Sequence, residues 1–477
     1  MEKQNAQPLS LRTALMPLLV LIVLLAINVW VYGDDALGGS NQFILLVGGA
    51  VAALVGFAHK HSYKTMLDKV ADNLKSVTGA ILILLFVGAL AGTWLIGGII
   101  PGMIYYGLQI LHPSIFLPAC VVICALISLA TGSSWTTSAT VGIALIGIGK
   151  ALGVPVGMVA GAVISGAYFG DKLSPLSDTT NLAPAMVGGD LFRHIRYMTL
   201  TTVPSIMVTL VVFIILSFTI SSSGSADTAQ MLASIDAVFN INLWLFVVPL
   251  LVIVLIVRKT PPLVALFVGT VLGAVSALIF QQDVLVNLGG SLSVESSYRV
   301  IMDAITVHTQ IETTNPMLND LFSSGGMEGM LGTIWLIICA MVFGGIMDGI
   351  GALAAISRAL LSWAQTTFQL FASTVASCLA INITASDQYL SIVVPGKMFQ
   401  KAYRDRGLAP ENLSRTLEDS GTVTSVLIPW NTCGAYQSGV LGVGVAEYFV
   451  YAIFNWLSPF MTLLFAALHI KIKALKN

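Results

Sequence analysis

The sequence predicts an all-α polytopic membrane protein built as two related halves, and three observations carry that reading. The 477 residues are 56% hydrophobic and only 9% charged, with a mean hydropathy of +0.89. Soluble chains carry about 25% charge, so this mixture cannot cover a water-facing surface. No Asp, Glu, Lys or Arg occurs between Lys75 and Lys150, a run that accommodates several spans of roughly 20 residues each. Finally, Ser/Thr-, Gly- and Pro-rich stretches break the apolar segments at matching places in the two halves. That is the pattern of inverted repeats with re-entrant hairpins and broken helices.

The elements follow in order. Met1–Ser10 is polar, and no small-residue cleavage site follows the apolar run to Val31, so Ala14–Tyr32 reads as a retained first span and not as a signal peptide. Gln42–Ala58, Val77–Gly98, Ser114–Ala130, Ala139–Ala151, Val156–Phe169 and Met198–Ile220 continue the first half, residues 1–220. Residues 221–330 form a linker with two further spans, Asn242–Val257 and Pro262–Phe280, and an acidic segment, Gln281–Met330, in which Arg299 is the sole Lys or Arg. The second half, 331–477, holds Leu331–Met347, Gln369–Ile381, Gln388–Met398, Val423–Val440 and Phe449–Leu468.

Basic residues mark the cytoplasmic loops. Lys3, Arg12, Lys60, Lys64, Lys69 and Lys75 flank the first spans; Arg193, Arg196, Arg258, Lys259, the Lys397–Arg406 cluster, Lys471, Lys473 and Lys476 follow. Gly33–Asn41 and Ser221–Asn240 carry aspartates and no Lys or Arg. Both termini are therefore expected in the cytoplasm and the acidic segment outside, with short helices of its own. The net charge of −1 and the absence of a basic run give no reason to expect a nucleic-acid partner. Lipid is the expected surroundings. The five cysteines sit in or beside apolar segments and read as small buried hydrophobes.

The richest polar stretch is Gly170-Asp-Lys-Leu-Ser-Pro-Leu-Ser-Asp-Thr-Thr-Asn-Leu-Ala-Pro184, between apolar flanks. Polar backbone at membrane depth is tolerated where it lines a cavity or is buried in protein. Ser133, Ser134 and Thr136, with Thr179, Thr180 and Asn181, supply neutral oxygens, while Asp178 and Asp171 supply charge. The second half offers Asn382 and Asp387 in one break, and Asp419, Ser420, Thr422, Asn431 and Thr432 in the next. Leu176-Ser-Asp-Thr-Thr180 lies over Leu417-Glu-Asp-Ser-Gly421 without a gap, pairing Asp178 with Asp419. Hard cations take oxygen ligands of these kinds, and broken helices add free carbonyls and dipole ends. A carboxylate in such a site can hold either a proton or a cation, because desolvation favours the first and an ion the second. Asp178, Thr179, Asn181 and Asp419 are the expected Na⁺ ligands, and Asp178→Asn is expected to abolish transport.

These motifs carry a family likeness. Gly170–Ala183, Thr131-Gly-Ser-Ser-Trp-Thr-Thr137, Leu417-Glu-Asp-Ser-Gly-Thr422 and Pro429-Trp-Asn-Thr432 resemble the NhaC family of Na⁺/H⁺ antiporters, so the likeness spans most of the chain. It implies a secondary transporter of the bacterial inner membrane, with inverted repeats, a scaffold that dimerises and elevator-like movement of a transport domain. It implies Na⁺ and H⁺ as cargo with no cofactor. Relatives that exchange malate for lactate, or carry amino acids, leave a small organic anion or amino acid as the alternative cargo. No arginine falls within the motifs to clamp a carboxylate, Arg415 lying just outside one, which favours plain cation–proton exchange. An enzyme is disfavoured: the six histidines form no His-Glu-x-x-His pair, and no nucleotide-binding Gly-rich Lys-Ser/Thr loop is present.

Overall fold

A computed structural model describes residues 8–32, 38–110, 112–219 and 228–475. The boundary between 220 and 221, Lys3, Lys476 and parts of the acidic Gly33–Asn41 and Ser221–Asn240 loops lie outside the described residues. The described chain is almost entirely helical, with one two-residue hairpin, Thr309–Gln310 against Ser323–Ser324. Eight of its helices are long and apolar enough to cross a membrane: Leu11–Tyr32, Ser40–Ala58, Thr78–Ile96, Pro113–Thr131, Leu191–Thr219, Pro262–Phe280, Glu328–Gly349 and Thr367–Thr384.

Polarity is turned inside out. Leu19, Phe43, Val211, Phe218, Leu250 and Phe267 are exposed, whereas Lys172, Asn382, Asp387, Arg415, Glu418, Asp419 and Asn431 are buried. Only a hydrocarbon solvent makes that arrangement favourable, since exposed apolar side chains then cost nothing and buried polar groups find partners inside. The chain is a multi-pass membrane protein.

Each half repeats one order of elements. In the first, Pro113–Thr131 breaks into Ser134–Thr137, which runs on through a π-helical turn, Ser138–Gly142, into Ile143–Ala151. Val156–Leu173 then breaks into Asp178–Val187, and the long Leu191–Thr219 follows. In the second, Thr367–Thr384 breaks into Gln388–Asp405. Pro410–Leu417 passes through a π turn, Glu418–Thr422, and breaks into Thr432–Leu441, before Ile453–Ala467. The expected span Val423–Val440 is thus two pieces, because Pro429 lacks an amide proton and Asn431 starts a new helix.

Small residues let the first half close tightly. Ser128 donates its hydroxyl to the Ala167 carbonyl at 2.6 Å across the Pro113–Thr131 and Val156–Leu173 helices. A Cβ at Gly170 would stand 2.3 Å from the Ala125 carbonyl oxygen, so the backbones touch there, as in other membrane helix pairs built on small residues. The acidic segment is no free loop. It holds the expected short helices, Gln282–Gly289 and Val294–Thr306, and the latter packs on Thr78–Ile96. The amphipathic Tyr63–Ser76 helix, too polar to be read as a span, lies on the Leu331–Gly349 helix, where Lys69 pairs with Asp348 at 3.0 Å.

Candidate functional site

Four helix starts that follow a break converge on one cavity of about 610 Å³, which the starts of Thr78–Ile96 and Pro262–Phe280 also border. The first break turns at Gly132, whose φ of +71° is the left-handed region that glycine adopts freely. Ser133 then caps the next helix, its Oγ accepting from Thr136 N–H at 3.1 Å. The corresponding turn in the second half is Ser386, at φ +60°, a strained value for a residue with a side chain. Asp387 follows as the cap, its Oδ1 accepting from Leu390 N–H at 2.9 Å. The other two breaks match as well. Ser-Pro-Leu-Ser177 ends in a serine that caps Asp178–Val187, and Ile-Pro-Trp-Asn431 ends in an asparagine that caps Thr432–Leu441.

These caps set the register between the halves: Pro175 answers Pro429, and Ser177 answers Asn431. The gapless match that pairs Asp178 with Asp419 is therefore displaced. Asp178 opens a helix after a break, whereas Asp419 sits within a π turn before one, and the counterpart of Asp178 is Thr432. Shared letters in a short window aligned two different parts of the repeat.

The cavity is lined by Ser133, Trp135, Thr136, Asp171, Asp178, Thr179, Asp387, Gln388, Tyr389 and Thr432. Asp171 is held firmly: its Oδ2 accepts from Ser134 N–H at 3.0 Å and from Ser134 Oγ–H at 2.7 Å. One carboxylate thereby joins the end of Val156–Leu173 to the start of the other broken helix, where the macrodipole favours negative charge. Asp178, by contrast, is exposed. Trp135 stacks on Tyr436 of the second half, ring centroids 4.0 Å apart, and the Tyr436 hydroxyl donates to the Trp135 carbonyl.

The other expected residues have different duties. Thr180 donates to the Asp171 and Lys172 carbonyls, and Asn181 donates to those of Pro175 and Ser177. Both secure the loop and do not line the cavity. Asn382 donates to the Gly421 carbonyl at 2.7 Å and to the Thr424 hydroxyl at 3.1 Å, while Asn431 donates back to Asn382. These two amides lace the second half's breaks together. Asp419, Ser420 and Thr422 lie off the cavity, with Asp419 paired to Lys172. The expected Na⁺ set of Asp178, Thr179, Asn181 and Asp419 is therefore not one site: Asp178 and Thr179 border the cavity and the other two do not. Sequence reasoning missed Lys172, Glu418, Thr201 and Thr462 as an interior cluster. Its one readable signal is that a lysine beside a span needs a buried partner.

Asn382→Ala strips the side-chain donor from the buried Gly421 carbonyl, while the Asn431 amide loses one acceptor and keeps the Asn382 backbone carbonyl. The expected cost is about 1–3 kcal/mol, for the one group left without its side-chain partner. Thermal melting of the purified chain checks this, and an unchanged transition would remove the lacing role.

Residues 166–470 match the family described as the Na⁺/H⁺ antiporter family. The chain is 38% identical over 420 residues to the Na⁺/H⁺ antiporter NhaC of Alkalihalophilus pseudofirmus, covering 88% of each. It is 36% identical over 419 residues to the malate-2H⁺/Na⁺-lactate antiporter of Bacillus subtilis, covering 87% of this chain and 86% of that one. It is 31% identical over 460 residues to the arginine/ornithine antiporter ArcD of Halobacterium salinarum, covering 95% and 91%. With the broken helices and their shared cavity in place, the conclusion is plain: this chain belongs to the Na⁺/H⁺ antiporter family.

Proposed function

We propose that the chain exchanges cytoplasmic Na⁺ for external H⁺ across the bacterial inner membrane, using the cavity as its cation site. The observation that carries this is the meeting of three carboxylates, Asp171, Asp178 and Asp387, with hydroxyls from both halves at four helix starts. The helix N-termini at the cavity favour negative charge there, and water shares the charge of the exposed Asp178. A cation and a proton that need the same carboxylates exclude one another. The exposed Lys259 also borders the cavity, and solvent screens it. Asp171 and Asp387 are the principal Na⁺ ligands in this reading, with Ser133, Thr136, Thr179 and Thr432 as hydroxyl donors to the ion. The basic loops support cytoplasmic termini, and a homodimeric scaffold remains the expectation for the assembly.

The size of the cavity, about 610 Å³, favours a second reading, coupled carriage of a small organic acid or amino acid, and two of the relatives bear names of that kind. Proteoliposomes with an internal pH indicator separate the two. Na⁺ or Li⁺ added outside enters down its gradient, so protons leave in exchange and the lumen should become alkaline. An unmoved pH, with accumulation of malate, lactate, arginine or ornithine, overturns the first reading in favour of the second.

A further inference from the structure

A second buried polar cluster lies outside the cavity. Lys172 and Asp419, 247 residues apart, form an ion pair in which the side chains are 1% and 0% exposed. Asp419 Oδ1 receives the ammonium, while Oδ2 accepts from the hydroxyls of Thr201, at 2.9 Å, and Thr462. Glu418, next along the chain, is fully buried, and the Thr422 hydroxyl and the Lys172 ammonium act on it. The Ser420 hydroxyl is buried and has no hydrogen-bond partner. All four residues from Glu418 to Thr422 that bear polar side chains belong to one π turn, a rare distortion that recurs at functional sites.

Asp419 pairs with the ammonium, which acts on the adjacent Glu418 through its field alone. A structural strut would need a single carboxylate, and a second buried carboxyl must either hold a proton or find a cation. Arg415 is not that cation: its guanidinium lies over the rings of Tyr197, at 4.5 Å, and Phe465, and makes no hydrogen bond. His194 is occupied through Nδ1 by Ser414. What remains is a set of carboxylate and hydroxyl oxygens suited to a hard monovalent cation, with a tethered cation already in it.

We propose that the Glu418–Thr422 turn is a second cation station, at which transported Na⁺ and the Lys172 ammonium compete for Asp419 and Glu418. The proposal rests on Na⁺ being cargo. Lys172 directly follows Asp171, so an ammonium displaced from this station moves the helix end that carries the cavity carboxylate. Occupancy at one station is thereby felt at the other.

The test uses the full chain in detergent, with Na⁺ compared against choline. Lys172→Gln removes the competitor, so Na⁺ affinity should rise about a hundredfold, the scale of losing one nearby like charge at the effective dielectric of a protein site after reorganisation. Its melting temperature should become strongly Na⁺-dependent. Adding Asp419→Asn should abolish the gain. A monodisperse Lys172→Gln chain with the Na⁺ response of the unsubstituted protein, or a gain that survives Asp419→Asn, overturns the station. Should Lys172→Gln fail to fold, Glu418→Gln keeps the lysine; it should weaken Na⁺ binding, and undiminished binding overturns the proposal. Asp387→Asn reports on the cavity alone, so loss of that reading is seen separately.

Discussion

Asp171→Asn is expected to lower Na⁺-dependent proton exchange about a hundredfold or more while the chain stays folded. A unit charge about 4 Å from a monovalent ion is worth roughly 4 kcal/mol at the effective dielectric of a protein site, and each tenfold in binding is about 1.4 kcal/mol. Reorganisation of the cavity recovers part of that, which leaves about two decades. Folding should suffer little, because asparagine keeps a carbonyl oxygen where Oδ2 now accepts from Ser134 N–H and Oγ–H. Weakening those two bonds costs about 1 kcal/mol. Asp178→Asn is the contrast. Asp178 is exposed, water shares the job of solvating its charge, and its substitution should change exchange only a few-fold. Initial rates in proteoliposomes over a range of Na⁺, beside melting curves for both variants, decide the matter. If Asp178→Asn abolishes exchange and Asp171→Asn does not, the order of importance argued from the cavity is reversed.

That ranking differs from what the sequence suggests, for a physical reason. Pattern locates breaks well, since Gly132, Pro175 and Pro429 are local punctuation and each stands at an observed break. Pattern also identifies the oxygen-rich residue types. It does not tell which carboxylate turns inward, because Asp171 and Asp178 lie on opposite sides of one loop and differ only in what folds over them. Nor can it pair Lys172 with Asp419 across 247 residues, as no local signal links a lysine at one helix end to a π turn in the other half. The spans were legible wherever hydropathy was continuous, Pro262–Phe280 to the residue. They differ at Val423–Val440, where apolar letters run on through a helix break, and at Phe449–Leu468, whose helix starts only at Ile453.

Gly170→Ala is expected to destabilise the chain by about 3 kcal/mol or more, at the upper end of overpacking costs. The added Cβ would stand 2.3 Å from Ala125 O and 2.5 Å from Leu129 N. Both are backbone atoms of the facing helix, so no rotamer can move them aside and the helices themselves must part. The Ser128–Ala167 hydrogen bond then stretches. Those two helices end at Gly132 and near Asp171, where a Cβ on Gly132 would already meet Leu176 at 2.6 Å. Separation at Gly170 therefore propagates to the bond between Asp171 and Ser134, and transport should fall with stability. Gly332→Ala supplies the control: nothing lies within 4 Å of its Cβ position, and alanine is favoured over glycine in a helix by about 1 kcal/mol. Melting of the two variants should move in opposite directions. An unshifted transition for Gly170→Ala would mean that the helix pair has slack, and that Asp171 owes its position to the Ser134 hydrogen bonds alone.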